Sequence, residues 1–255
     1  MRALQRNKAL DHLVLPASIV RAHVRHFYYG VLWGRYRPDP KKVIWVKTAD
    51  IGLKKEPIFN GARRLGTNVA GGDWDLCVRS DVVDYDHAGP TIEGLIRIEE
   101  FQLYKAIEQM IHNGIEWEET GVYRNRLRTR VRSLEKLAAE GKKIKGLIAS
   151  IRENGLIPQS ILRAGRSRLR EALLPAVYGE IRVAIGRSGE IFLEDGVHRF
   201  FIARALGIEK IPVRVILRHE RWQEIRSELM RRNRDDALSG SAAFGNHPDI
   251  KPLPG

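Results

Sequence analysis

One cysteine, Cys77, is all that 255 residues contain. That excludes an internal disulfide, and no cysteine–histidine set has the spacing of a zinc site, so a reducing cytoplasmic setting is the expectation. Long uncharged runs are missing too. None approaches the roughly 18 apolar residues of a membrane-spanning helix, so no membrane partner is expected. The start, MRALQRNKALDHLVLPASIV, has basic residues but no long apolar stretch and no cleavage-site pattern, so no secretory leader is expected either. Aromatic residues are 7% of the chain and show no RNA-binding signature. No segment repeats.

Basic charge is what the chain has in quantity. Forty-four Lys and Arg against 31 Asp and Glu give a net charge of +13. Residues 1–50 carry 10 basic and 3 acidic residues, 51–120 carry 7 and 13, 121–170 carry 14 and 3, and 171–255 carry 13 and 12. The 121–170 segment holds Arg124, Arg126, Arg128, Arg130 and Arg132, then Lys142, Lys143 and Lys145, then Arg163, Arg166, Arg168 and Arg170. Such a concentration draws phosphates over long range and admits DNA or RNA as a partner. It serves equally well as a solvated face, and no recognised nucleic-acid docking element accompanies it.

Hydrophobic periodicity lays out the elements. Leu10, Leu13, Val14, Ile19, Val20 and Val24 fall near helical spacing, interrupted by Pro16. His26 to Trp33 form an apolar-aromatic cluster, read as an arm whose rings fill a hydrophobic groove. Val43–Val46 is a short β-branched strand after the Pro38-Asp39-Pro40 break. Gly61, Gly66, Gly71 and Gly72 mark turns and predict a hairpin ending in Trp74–Val78. Helices are predicted over 95–112 with Gly114 as a stop, over 129–140 before Gly141, and over 144–153 before Gly155. Strands at 181–185 and 190–193, a helix at 198–206, a strand at Ile211–Leu217, a charged helix at 219–234 and an irregular tail complete the chain. The organisation is a basic and aromatic arm (1–42), a strand with an acidic insert (43–128), a core (129–218), and a C-terminal helix and tail (219–255).

The stretch EIRVAIGRSGEIFLEDGVHRFFIARALGIEKIPVRVIL, residues 180–217, carries the chemistry. It reads as strand, turn, strand, tight turn, helix, turn, strand. Asp195-Gly196-Val197-His198-Arg199 is the tight turn entering the helix. Gly196 lets the backbone turn and approach a ligand closely. The helix start offers N–H groups without intrahelical partners and a partial positive charge, and His198 and Arg199 add donors, a combination that suits a phosphate. Asp195 is a candidate for a helix cap or for holding a metal ion that bridges phosphates. An Asp-Gly turn before a helix is also common as plain architecture. Glu194 precedes Asp195 directly, and strand alternation predicts that the two carboxylates point to opposite faces.

Other candidates are weaker. In Gly71-Gly72-Asp73-Trp74-Asp75, two aspartates at i and i+2 share a face if the segment is a strand, where Asp73 and Asp75 are candidates for Mg²⁺. A hairpin turn with a buried tryptophan and two capping aspartates explains the same residues. Glu118 and Glu119 read as a solvated charge pair, or as a base if they fold over the turn. His112, His219 and His247 show no ligand spacing and read as structural or surface groups. Asn246-His247-Pro248-Asp249 reads as a lid over the site or as irregular tail.

The run DGVHRFFIARALGIEKIPVRVI resembles the ParB/sulfiredoxin superfamily, with its glycine-x-(histidine or arginine)-arginine turn, alanine-containing helix and closing Ile-Pro-Val strand. The segment Lys145-Gly146-Leu147-Ile148-Ala149-Ser150-Ile151-Arg152-Glu153-Asn154-Gly155-Leu156-Ile157-Pro158 is similar to the family's upstream helix, and the two matches come in the family's order. Together they span roughly 134–218, about a third of the chain, with Arg163–Tyr178 as an insertion and Val43–Val46 as a further candidate strand. The resemblance implies an α+β fold: a small mixed sheet with packed helices, here with an N-terminal extension and insert, whose turn binds nucleotide phosphates through Gly196, Val197, His198 and Arg199.

The chain departs from some members. Val197 stands where the family's sulfinic-acid repair enzymes carry a catalytic cysteine, so that reaction is not expected. About 38 residues follow Leu217, shorter than a typical domain, which weighs against a complete DNA-segregation clamp. The family's free-serine kinases keep a similar Asp-Gly-x-His-Arg turn and are the nearer analogy. The expectation is a nucleotide-binding enzyme (ATP, ADP or CTP, with Mg²⁺) transferring a phosphoryl group to a small hydroxyl-bearing acceptor, with Asp195, His198 and Arg199 as catalytic residues. Its alternatives are a DNA- or RNA-binding protein, such as a nuclease, that uses the 121–170 segment, and a nucleotide-gated module that docks a partner through residues 26–33.

Overall fold

The computed structural model describes residues 8–56, 68–79, 94–129, 133–158, 180–235, 244–251 and 253. Arg130, Arg132, Arg163, Arg166, Arg168, Arg170, Gly61 and Gly66 lie outside them. The described elements form an α+β fold of six helices and one mixed sheet. In chain order they are α1 (Lys8–Trp33), β1 (Val43–Lys47), β2 (Leu53–Glu56), β3 (Asn68–Ala70), β4 (Val78–Arg79), β5 (Gly94–Arg97), α2 (Gln102–His112), α3 (Gly121–Arg128), α4 (Leu134–Asn154), β6 (Ile181–Ile185), β7 (Ile191–Asp195), α5 (Val197–Ala205), β8 (Lys210–His219) and α6 (Glu220–Asp235). Among the described residues no helix is long and apolar enough to cross a membrane.

The sheet runs β1-β8-β6-β7-β2-β5-β4, with β3 paired to the far end of β8. β6 and β7 are antiparallel neighbours around the turn at Arg187–Gly189, and α5 then carries the chain across to β8, which lies parallel to β6. β6 is buried on both faces, with Arg182 its one charged residue. One face carries Val183, Ile185, Leu193 and Val213 and packs against Phe200, Phe201 and Ile202 of α5, Ile107 of α2, and Ile144, Ile148 and Ile151 of α4. Burying a phenylalanine as fully as Phe200 and Phe201 contributes about 2–3 kcal/mol each. The other face gathers Leu95, Ala184, Phe192 and Leu217 under Trp74.

Several elements differ from the sequence reading. Val43–Lys47 is a strand as expected, and its antiparallel partner is β8. No hairpin joins β3 and β4. β3 pairs with β8 and β4 with β5, so both partners are remote in sequence. The helix expected from residue 95 starts at Gln102, because residues 94–97 are strand and 98–100 a single 3₁₀ turn. The two helices expected on either side of Gly141 are one, α4. Its Gly141 is pressed against Trp117 instead of ending anything: an added Cβ would lie 2.4 Å from Trp117 Cδ1. α1 likewise runs unbroken past Pro16. Residues 244–251 are packed down. Asp249 is fully buried and accepts hydrogen bonds from Arg218 Nε (2.8 Å), Arg218 Nη2 (2.6 Å) and Trp222 Nε1 (3.1 Å).

Candidate functional site

β7 ends at Asp195 and α5 begins at Val197, so the whole turn falls on Gly196. Gly196 is left-handed, with φ 85° and ψ 25°, a conformation glycine adopts without steric cost. Space excludes a side chain as well: an added Cβ would lie 3.0 Å from the Ile181 Cα and 3.5 Å from Arg199 Nη2. The backbone therefore crosses β6 at close range, with the Arg199 guanidinium folded back beside it. Asp195, Gly196, Val197, His198 and Arg199 are all half-exposed. The corner opens to the surface at the point where α5 presents its first N–H groups, and the helix dipole adds a partial positive charge there.

Asp195 does not cap α5 in the usual way. Its Oδ1 accepts the Gly196 N–H (2.7 Å), and its Oδ2 is ion-paired with Arg182 Nη2. Asp195 faces Arg182 because of a β-bulge. Arg182 pairs with Asp195 while Val183 pairs with Leu193, so Glu194 is an extra residue in β7. This corrects the alternation argument. Glu194 lies opposite Leu193 and so on the Lys55 side of the sheet, and the register of Arg182 puts Asp195 on that side too. The two consecutive carboxylates share a face. Across it, neighbouring strands align Arg214 of β8, Arg182 of β6, Glu194 and Asp195 of β7, and Lys55 of β2. Lys55 Nζ lies 3.8 Å from Glu194 Oε1, and all but Asp195 are buried. On the opposite face, burial pushes the Lys54 ammonium down to about 7, with Glu194 opposing the shift.

His198 is held from α4. Its Nε2 lies 3.4 Å from Glu140 Oε1, and the other oxygen of that buried carboxylate accepts from Arg126 Nη1 at 2.7 Å. A relay Arg126–Glu140–His198 thus runs from α3 through α4 to the first turn of α5. It fixes the imidazole and gives it a carboxylate partner for a proton. Neither Arg126 nor Glu140 was singled out in the sequence, where Arg126 is one of a run of arginines and Glu140 the end of an expected helix. Lys55, Arg182 and Arg214 carry no signal for the same reason, that a charged residue in a strand betrays nothing of its cross-strand neighbours, whereas strand alternation is what set Glu194 apart from Asp195.

The structure does not bring Asp73 and Asp75 to this corner. They lie in a turn, and both hold Arg187. Arg187 Nη2 donates to Asp73 Oδ1 at 2.7 Å and to Asp75 Oδ1 at 2.8 Å, and the Arg187 amide donates to Asp75 Oδ2 at 2.7 Å. Arg187 sits in the β6–β7 turn, at the other end of β7 from Asp195, about 13 Å of strand away. The tail is at that end too, since His247 Nε2 meets the Gly189 carbonyl at 2.9 Å. His219 Nε2 meets the Gly72 carbonyl at 2.9 Å. His112, Glu118 and Glu119 are exposed, and the Glu119 carboxylate caps its own turn by accepting the Glu116 N–H at 3.1 Å.

A divalent cation tests the donor set. Among the described residues no three His, Cys, Asp or Glu side chains converge as a cage. One carboxylate beside a polyphosphate suffices for Mg²⁺, so the corner fits a nucleotide-borne cation through Asp195 alone, once Asp195 leaves Arg182. In the basic segment, Arg124, Arg128, Lys136, Lys142, Lys143, Lys145 and Arg152 are exposed, whereas Arg126 is buried against Glu140. Comparison of the chain with protein-family models, curated proteins and solved structures finds no match.

Proposed function

We propose that the chain is a nucleotide-binding enzyme with a ParB/sulfiredoxin-like core, and that it transfers a phosphoryl group from a nucleoside triphosphate to a small hydroxyl-bearing acceptor. The observation that carries this reading is the half-exposed corner in which left-handed Gly196 delivers the first turn of α5, with Arg199 folded beside it. The Val197 and His198 amides cradle phosphate oxygens. Arg199 and His198 stabilise the charge that develops as the terminal phosphorus–oxygen bond breaks and the acceptor oxygen bonds to phosphorus. Asp195 orients the acceptor hydroxyl, whose proton leaves as the phosphomonoester and nucleoside diphosphate form. When bound, Mg²⁺ supplies charge neutralisation between the phosphates.

The test is a thermal-shift panel of ATP, ADP, CTP and GTP, with and without Mg²⁺, followed by turnover assays with hydroxyl acceptors. A ligand specific to the folded state at a hundred times its Kd stabilises by about 2.7 kcal/mol. Arg199→Ala is expected to abolish nucleotide-dependent turnover while leaving the melting temperature of the free protein unchanged. Full turnover in that variant removes the mechanism, and no shift with any nucleotide removes the site.

The exposed cations of α3 and α4 favour a second reading, a DNA- or RNA-binding protein such as a nuclease. It expects affinity that falls steeply with salt, and absence of a gel shift at low salt rejects it.

A further inference from the structure

We infer that α1 is the self-association surface of this protein, pairing with α1 of a second copy through a seam of Val20, Val24, Phe27 and Val31. The four residues are spaced four, three and four apart, the heptad pattern that keeps one stripe facing a partner helix. In the sequence the same spacing continues back to Ala17, Leu13 and Leu10, so it spans three heptads of this 26-residue helix.

The structure adds that the stripe faces away from the protein. Phe27 is 75% exposed and Val31 71% exposed, and Val20 and Val24 are exposed as well. The opposite side of the same helix is the one that docks. Ala22 and Tyr29, seven residues apart at the heptad position furthest from the seam, are 7% and 6% exposed. Tyr29 is pinned there, since its hydroxyl accepts the Val69 N–H of edge strand β3 at 2.8 Å and its ring lies 5.0 Å from that of Trp33. Just beyond the helix, the Tyr36 carbonyl accepts from Arg226 Nη1 (2.7 Å) and Gln223 Nε2 (3.1 Å) of α6. The helix is thus held by its back and leaves its apolar front bare.

Size and charge favour a second copy as the occupant. At roughly 150–250 Å² for an aromatic side chain and less for an aliphatic one, the four seam residues with Tyr28 and Leu32 offer on the order of 600 Å² per copy, near the roughly 800 Å² each partner covers in a stable complex. That is more than isolated surface apolar residues present. Of the positions flanking the seam, Arg21, His23, Tyr28 and Gly30, only Arg21 carries a full charge, so no like-charged pair opposes association. A bilayer surface would call for cations along both edges of a broader apolar arc, and the His23–Gly30 edge has none.

The experiment is sedimentation velocity on the full chain at micromolar concentrations, with Val24→Glu, Phe27→Glu and, as a control of equal charge change on α4, Lys142→Gln. Wild type and the control are expected to sediment as dimers. Each seam variant is expected to sediment at half that mass with an unchanged circular dichroism spectrum, since both positions are solvent-exposed in the single copy. A monomeric wild type, or a dimer that survives either glutamate, overturns the inference. So does a monomeric wild type that co-pellets with vesicles of phosphatidylglycerol and phosphatidylcholine, which would assign the stripe to lipid.

Discussion

Gly141→Ala should destabilise this protein even though helix propensity argues the opposite. In an exposed helix interior, replacing glycine by alanine gains about 1 kcal/mol. At residue 141 the new methyl carbon would lie 2.4 Å from Trp117 Cδ1 and 2.8 Å from Trp117 Cγ, more than 1 Å inside normal contact. The ring has nowhere to go. Trp117 is fully buried, and its Nε1 donates to the Leu137 carbonyl of the same helix at 3.0 Å. Forced overpacking of this kind costs about 1–3 kcal/mol, and with the propensity gain set against it the net loss is up to about 2 kcal/mol. At about 2–4 °C per kcal/mol for a chain of this size, the melting temperature should fall by a few degrees. Gly146→Ala is the internal control: it lies on the same helix, and an added Cβ there meets nothing within 4 Å. That variant should gain up to about 1 kcal/mol. The assay is urea or thermal unfolding of both variants beside wild type. If Gly141→Ala melts at or above wild type, α4 does not pack its backbone on Trp117 as described.

Two further outcomes follow from the charged strands. Lys54 titrates near 7 in the folded protein and near 10.4 in an unfolded chain. Between those values the unfolded chain binds more protons, so stability rises with pH by up to about 1.4 kcal/mol per unit, whereas below pH 7 both states are protonated and the slope vanishes. Lys54→Met should remove that rise in urea titrations at pH 7 and 9.5, and equal slopes in the two proteins would contradict the burial of this ammonium. Asp195→Asn removes a negative charge from the corner and releases Arg182, so nucleotide should bind more tightly, by about fivefold for 1 kcal/mol, while turnover drops by about a hundredfold or more. Calorimetry and turnover that both match wild type would leave Asp195 with no role.

The 181–217 stretch was legible because each element there shows one clear period. Strand alternation in 181–185 gives way at a glycine to the helix of 197–205, and a β-branched run closes the unit. Legibility failed where two periods overlap or where packing decides. Leu95, Ile98 and Phe101 mimic a helical face, yet residues 94–97 extend because β2 and β4 flank them. β3 and β4 looked like a hairpin because pairing with β8 and β5 leaves no local trace. α3 escaped notice because its inward residues are Val122 and Arg126, and an arginine facing the core reads in sequence as a solvated one. Gly141 misled for a related reason. A glycine within an apolar pattern signals a stop only when no bulky group uses its bare Cα as a packing surface.

At the candidate site the failure came from counting. Alternation assigns Glu194 and Asp195 to opposite faces, and one inserted residue in β7 reverses that. The consequence reaches beyond geometry. With Asp195 on the Arg182 face, the carboxylate at the mouth of α5 is already neutralised by a strand arginine, and Glu194 lies by Lys55. Beside the Asp195–Arg182 pair the corner holds the Arg199 guanidinium and the positive end of the α5 dipole. On the function proposed above, a phosphate bound there would compete with Asp195 for Arg182, and the carboxylate so released would be available to an acceptor hydroxyl or a cation. Without the bulge, Asp195 would sit on the apolar face among Leu193 and Val183, where an ionised carboxylate is costly, and the corner would have no such exchange to offer.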